Sequence, residues 1–226
     1  GQLRKHYGLE SSDYSRFVNK LEMKALLKEK GILVPKFISF NKTRFTSNPN
    51  DYLEMFCEEI GFPMFVKPID QSSCAGAEKI NNLQELEFWG KRILKDNWEY
   101  EVDEFIEGTL FHCDSFIKNH TILFTQVSQC MKPCFNFIQG ETKGSIALSE
   151  HCEDYHALQL YTEKVLSNLG IPPAGVTHLE VFKLTNGKYI FLEIAYRPPG
   201  ILIPEMYKKH LGLDIRELHV SLQVDN

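Results

Sequence analysis

The stretch Val176–Gly200, VTHLEVFKLTNGKYIFLEIAYRPPG, decides how this chain is read. Two apolar runs rich in β-branched and aromatic residues flank Asn186-Gly187, and Asn-Gly between such runs is the strongest short-range hairpin signal. With those two residues as the loop, Thr185 faces Lys188, Phe182 faces Phe191 and Glu180 faces Glu193. Side chains alternate across a strand. One face then carries His178, Glu180, Phe182, Phe191, Glu193, Ala195 and Arg197, while Leu179, Val181, Ile190, Leu192 and Ile194 form the core face.

This pairing sets two carboxylates directly opposite each other, which is unfavourable by itself. Two readings are open. Both glutamates can point into water on a solvated outer face, where screening makes like charges cheap. Alternatively a divalent cation lies between them, since hard cations such as Mg²⁺ take carboxylate oxygens and leave room for phosphate. Arg197, on the same face, would supply a bidentate partner for phosphate or carboxylate. The combination points to a metal–phosphate site.

The 226 residues suffice for one large domain or two small ones sharing a cleft. A hydrophobic content of 43% and a charged content of 24% are ordinary for a soluble globular protein. The net charge of −5, without a basic run, argues against nucleic-acid binding. No apolar run approaches the roughly 20 residues that cross a bilayer, and no signal-peptide pattern opens the sequence. The six cysteines lack CxxC spacing, so reduced thiols in the cytoplasm are expected. Cys130, Cys134, His151, Cys152 and His156 match no zinc-site spacing.

Along the chain, Ser11-Ser12-Asp13 reads as a helix N-cap, with Tyr14, Phe17, Val18, Leu21 and Ala25 following at helical spacing and Gly31 as the stop. Residues 51–60 repeat the scheme. Phe62–Ile69 reads as a strand with Lys67 inside an apolar run. That lysine either snorkels to water or is a cation aimed at an anion. The small, polar loop Asp70–Ala77 has free N–H groups of the kind that wrap polyphosphate. Residues 83–94 and 154–169 read as helices, and 100–107, 110–117 and 121–129 as strands, with a turn at Asn119-His120. Residues 131–149 carry no clear pattern. Helices are expected again over 203–210 and from Asp214. The order gives an α+β plan.

Taken together, NKLEMKALLKEKGILVPKF (19–37), FPMFVKP (62–68), QSSCAG (71–76), YEVDEFIEGTLFHCDSF (100–116) and the hairpin with EIAYRPPG resemble an ATP-grasp domain over roughly residues 15–200. EIAYRPPG is close to the EIAxRPPG of the amino-acid-ligase and carbamoyl-phosphate-synthetase-like branches. The resemblance implies two α+β subdomains clasping ATP between antiparallel sheets: residues 1–105, with the small lid subdomain around 62–106, and residues 106–226, with the metal-binding hairpin. It also implies roles. Lys20 and Lys67 reach phosphate, and Ser72, Ser73 and Gly76 lie in the loop that closes over the triphosphate. Asp103, Glu104 and Ile106 read adenine, and His112 and Asp114 sit near the ribose. Glu180 and Glu193 bind one or two Mg²⁺ ions, with Mn²⁺ as an alternative, Arg197 steadies an acyl phosphate, and His178 joins it as a catalytic candidate.

The sequence also departs from the family. Ala195 stands where an Asn ligand is frequent, which questions the second metal. The α/β domain that usually precedes the ATP-grasp portion has no counterpart before Ser11. The expected function is an ATP- and Mg²⁺-dependent ligase that activates a small carboxylate as an acyl phosphate for attack by an amine. The alternatives are bicarbonate activation and a nucleotide-binding module without ligase chemistry. No membrane or nucleic-acid partner is expected, and the oligomeric state is not legible.

Overall fold

The structure, a computed structural model, describes residues 11–72, 74–132 and 144–224. A 3₁₀ segment, Ser11–Phe17, precedes α1 (Lys20–Glu29), β1 (Phe37–Phe40), α2 (Lys42–Ser47), α3 (Pro49–Glu59), β2 (Met64–Pro68), β3 (Glu78–Ile80), α4 (Leu83–Ile93) and β4 (Tyr100–Glu104). There follow β5 (Thr109–Lys118), β6 (Thr121–Cys130), β7 (Ser145–Ala147), α5 (Glu153–Leu169), β8 (Ala174–Lys183), β9 (Tyr189–Ala195), α6 (Ile203–Leu211) and α7 (Ile215–Val224). The plan is α+β, as the order of motifs implied. Among the described residues no helix is long and apolar enough to cross a membrane.

Two compact units result. Pro35–Glu107 forms one, and the described residues up to Val34 and from Gly108 onward form the other. The sequence reading grouped residues 1–34 with the lid portion instead. Burial explains the difference, because Met23 and Leu27 of α1 sink into the same core as Leu179, Val181 and Phe191.

In the smaller unit an antiparallel sheet runs β1-β4-β2-β3. Phe40, Met64, Val66, Ile80 and Val102 turn one face toward Phe45, Phe56, Leu86 and Trp89 of the helices. Alternation sends Phe65 and Lys67 of β2, with Glu101 and Asp103 of β4, to the opposite face. In the larger unit the order is β7-β6-β5-β8-β9. One face packs on α1 and α5 through Phe111, Cys113, Val127, Leu179 and Leu166. Part of the other face is covered by α6 and α7, where Phe116, Val176, Tyr207 and Ile215 form a second core.

Two sequence expectations change in detail and a third holds. The expected first helix is broken: Asn19 caps α1 by accepting from the Leu21 and Glu22 amides, so residues 11–17 remain a separate turn. Short elements without a clear period, α2, β3 and β7, were not expected. The Asn119-His120 turn does form, with φ of 52° and 56° and Lys118 paired to Thr121, the left-handed pair that a two-residue hairpin loop requires.

The hairpin itself forms with an altered register. Glu180 faces Glu193 as expected, but Val181 faces Phe191 and Phe182 faces Ile190. Leu184, not Thr185, bonds Lys188, so the loop has three residues. Only Gly187 within it takes a positive φ, 80°. A bulge beside Glu180 then absorbs one residue of β9 at Leu192 and restores the carboxylate pairing. The extra residue turns Phe191 into the core, where it is fully buried beside Val181, and leaves Leu192 half-buried. In this register Phe191 takes the core position that Leu192 holds in the simpler one, so the larger side chain is the one removed from water.

A Cβ at position 187 would meet no atom within 4 Å, so the cost of a side chain there is purely that of the left-handed backbone. Gly187→Ala is expected to lower unfolding free energy by about 1–2 kcal/mol in urea titrations, and Gly187→Asn by less. Equal effects of the two would contradict this loop geometry.

Candidate functional site

Sheet register builds the site. Across β7, β6, β5, β8 and β9, Ala147, Ser128, His112, Glu180 and Glu193 are successive partners in one row. Gln126, Asp114, His178 and Ala195 make the row beside it. With strands about 4.8 Å apart, Ser128 and Glu193 lie roughly 14 Å apart along that row. The alternations HxE on β8 and HxD on β5, with Glu193 from β9, thus put two imidazoles and three carboxylates on one face.

The charges are arranged in sequence. Lys20, at the first position of α1, holds its Nζ 3.6 Å from Glu193 Oε2. His178 Nε2 lies 3.5 Å from Glu180 Oε1, and its Nδ1 is 2.7 Å from Asp114 Oδ1. His112 Nδ1 is 2.7 Å from Asp114 Oδ2, and its Nε2 is 2.5 Å from Ser145 Oγ. Tyr207 donates to Asp114 Oδ2 over 2.5 Å. Asp114 is fully buried, whereas the Glu180 and Glu193 side chains keep 17% and 29% of their exposure. Burial alone would lower the His178 pKa. The adjoining Asp114 and Glu180 carboxylates outweigh that and push it up to about 9. Burial would likewise raise Asp114, but His178 and His112 hold its carboxyl far below the usual range.

Among the described residues, His112, Asp114 and His178 are also the group whose ligand atoms approach within 4.8 Å. Both Nδ1 atoms already sit at hydrogen-bond distance from the carboxylate, so this is a closed clamp. The half-exposed pair Glu180 and Glu193 is the better cation site. Hard oxygens on two facing strands, partly open to water, suit an Mg²⁺ ion that keeps some of its own waters.

In the smaller unit Lys67 Nζ lies 3.2 Å from Asp103 Oδ2 and 3.5 Å from Glu101 Oε1. Two buried acids therefore fix this lysine on its sheet face, which sequence reasoning left open. Glu104 donates its amide to Lys36 O and accepts the Lys36 amide on Oε2. Of the three adenine candidates, only Ile106 lies beyond the sheet, after Phe105 has bonded Pro63 O. Ser72 is exposed, and Gly76 is left-handed at φ 71°, with Pro68 and Trp98 leaving no room for a Cβ. Ser73 and Cys134 lie outside the described residues. Arg197, half-buried after β9, donates from Nη1 to Pro198 O. Sequence reasoning missed Glu101, Ser128, Ser145 and Tyr207. The strand alternation could have found the first two, but no spacing signal leads to the others.

Residues 26–221 match the family model described as D-ala D-ala ligase C-terminus. The chain belongs to this family, whose fold is ATP-grasp. It is 28% identical to an L-arginine-specific L-amino acid ligase of Bacillus subtilis, over 99% of this chain and 54% of that protein. A D-alanine–D-alanine ligase of Staphylococcus carnosus is 32% identical, over 92% of this chain and 60% of its own length. The crystal structure of D-alanine–D-alanine ligase from Bacillus anthracis complexed with ATP superposes with a TM-score of 0.72 at 15% identity, covering 99% of this chain and 72% of that one. The chain spans about half the length of the curated relatives it matches.

The His178 pKa carries a signed consequence. A histidine raised to about 9 contributes stability that is complete below its unfolded value of about 6.5 and is lost as pH rises through 9. In metal-free protein the urea midpoint should therefore fall between about pH 6.5 and 9, and His178→Gln should remove most of that slope. A flat native profile would contradict the clamp.

Proposed function

We propose that this chain carries the ATP-binding and phosphate-activating part of a ligase that joins a carboxylate to an amine. The reading rests on one observation above all: Glu180 and Glu193 face each other on adjacent strands with Lys20 and His178 at their flanks. Family membership supports it, as do the ligase names of the relatives.

Glu180 and Glu193 would hold Mg²⁺, which when bound neutralises phosphate charge. Lys20 offers a further cation to phosphate from the α1 N-terminus, whose dipole adds to its effect. On the smaller unit Lys67 is the proposed phosphate contact. Ser72, Ser73 and Gly76 are proposed to lie over the triphosphate, with Asp103, Glu104 and Ile106 toward adenine. His112 and Asp114 are both too deeply buried to reach a ribose, and Asp114 serves His112 and His178 from beneath. A substrate carboxylate oxygen attacks the γ-phosphorus, ADP leaves, and the acyl phosphate forms. Arg197 and the His178 imidazolium face the charge that gathers on the transferred group. The amine then adds to the acyl carbon and phosphate departs, leaving the amide. Little covalent work falls to the protein in such a transfer; positioning and fixed charge supply the catalysis.

Incubation with ATP, an amine and a carboxylate labelled with oxygen-18 should place label in the released phosphate. Turnover without label in phosphate would exclude the acyl-phosphate route. Arg197→Lys, which loses the planar fork, should lower kcat by about 10²-fold or more.

A further inference from the structure

The clamp beneath the site contains a group that the ligase reading does not use. Asp114 can only accept hydrogen bonds, and three donors converge on it. His178 approaches Oδ1 at 2.7 Å, while His112 at 2.7 Å and Tyr207 at 2.5 Å share Oδ2. Each imidazole must then carry its proton on Nδ1, and the Tyr207 hydroxyl must donate. That leaves the tyrosine oxygen to accept from Ser128 Oγ at 3.1 Å. The direction of every bond follows from the carboxylate alone.

Tyr207 comes from α6, 93 residues from Asp114, and is fully buried among Phe116, Val176 and Ile215. A phenylalanine would fill the same apolar niche without the cost of burying a hydroxyl. The hydroxyl is retained and spent on the oxygen that already holds His112. The other Asp114 oxygen orients His178 so that Nε2, not Nδ1, is the atom turned toward Glu180.

We propose that Tyr207 is a positioning residue: through Asp114 its hydroxyl fixes the two imidazoles and presents His178 Nε2 to the Glu180 side of the site. Its catalytic consequence rests on the ligase reading, whereas the clamp itself does not. Such supporting partners are typically worth 10–100-fold in activity, through geometry and not through substrate contact.

Tyr207→Phe in the full chain keeps the ring and removes only the donor. Nitrogen-15 spectra of the histidine side chains, with the His178 signals assigned by their loss in His178→Gln, should show both native rings protonated at Nδ1 with slowly exchanging protons. In Tyr207→Phe that protection should be lost. Ser128→Ala, which removes the bond on the far side of the hydroxyl, should give a weaker change in the same direction. In a turnover assay kcat of Tyr207→Phe should fall about tenfold with KM for ATP unchanged. Native imidazole signals in Tyr207→Phe would overturn the proposal whatever the turnover. A rise in KM with kcat unchanged would overturn its catalytic part. Disturbed imidazoles in a chain whose native form never turns over ATP would uphold the clamp and reject the ligase reading instead.

Discussion

Two carboxylates held opposite each other on neighbouring strands repel, and everything around Glu180 and Glu193 is arranged to make that repulsion tolerable. Lys20 flanks one acid and His178 the other, at 3.6 and 3.5 Å. Neither cation is incidental. Lys20 is set by the Asn19 cap that starts α1, and α1 is anchored by Met23 and Leu27 in the main core. His178 stays cationic because a buried Asp114 lies on its other side. The like-charge pair therefore depends on the first helix, the central strands and, through Tyr207, on α6.

Buried ion pairs are poor stabilisers, since desolvation offsets most of the Coulomb gain. A carboxylate with three donors, as Asp114 has, is an expensive way to hold two rings if stability were all that mattered. The same holds in the smaller unit, where Glu101 and Asp103 fix Lys67 on a sheet face that apolar residues could cover more cheaply. In both units the sequence spends buried charge on placing a cation at a sheet surface. The proposed phosphate chemistry would use such a pattern, because fixed charge acts best when it needs no reorganisation.

How much of this was legible in advance varies with the range of the interaction. The hairpin, its paired glutamates and the small polar loop follow from local signals. The glutamate pairing survived only because two one-residue differences cancelled: a three-residue loop shifted the register and the Leu192 bulge shifted it back. Asn-Gly does not distinguish a two-residue loop from a three-residue one. The register that forms buries Phe191 in place of Leu192, a property of the core and not of the turn. The family resemblance sets His112 and Asp114 near a ribose, but a motif in the sequence gives no depth, and both side chains are buried. Tyr207 and Ser145 meet the site through chain reversals of 93 and 33 residues, and no local period encodes those. The described residues up to Val34 pack with the larger unit and not with the segment that follows them in the chain, since a core is shared by what packs and not by what is adjacent.

The proposed grip of the Glu180–Glu193 pair on a divalent cation is what the rest of the site depends on. Binding of Mn²⁺, a paramagnetic probe for such a site, can be followed by electron paramagnetic resonance with and without a non-hydrolysable ATP analogue. One or two ions should bind to the native chain, tighter with the analogue, and binding should be sharply weakened in both Glu180→Gln and Glu193→Gln. Native-like Mn²⁺ binding in both variants would contradict it.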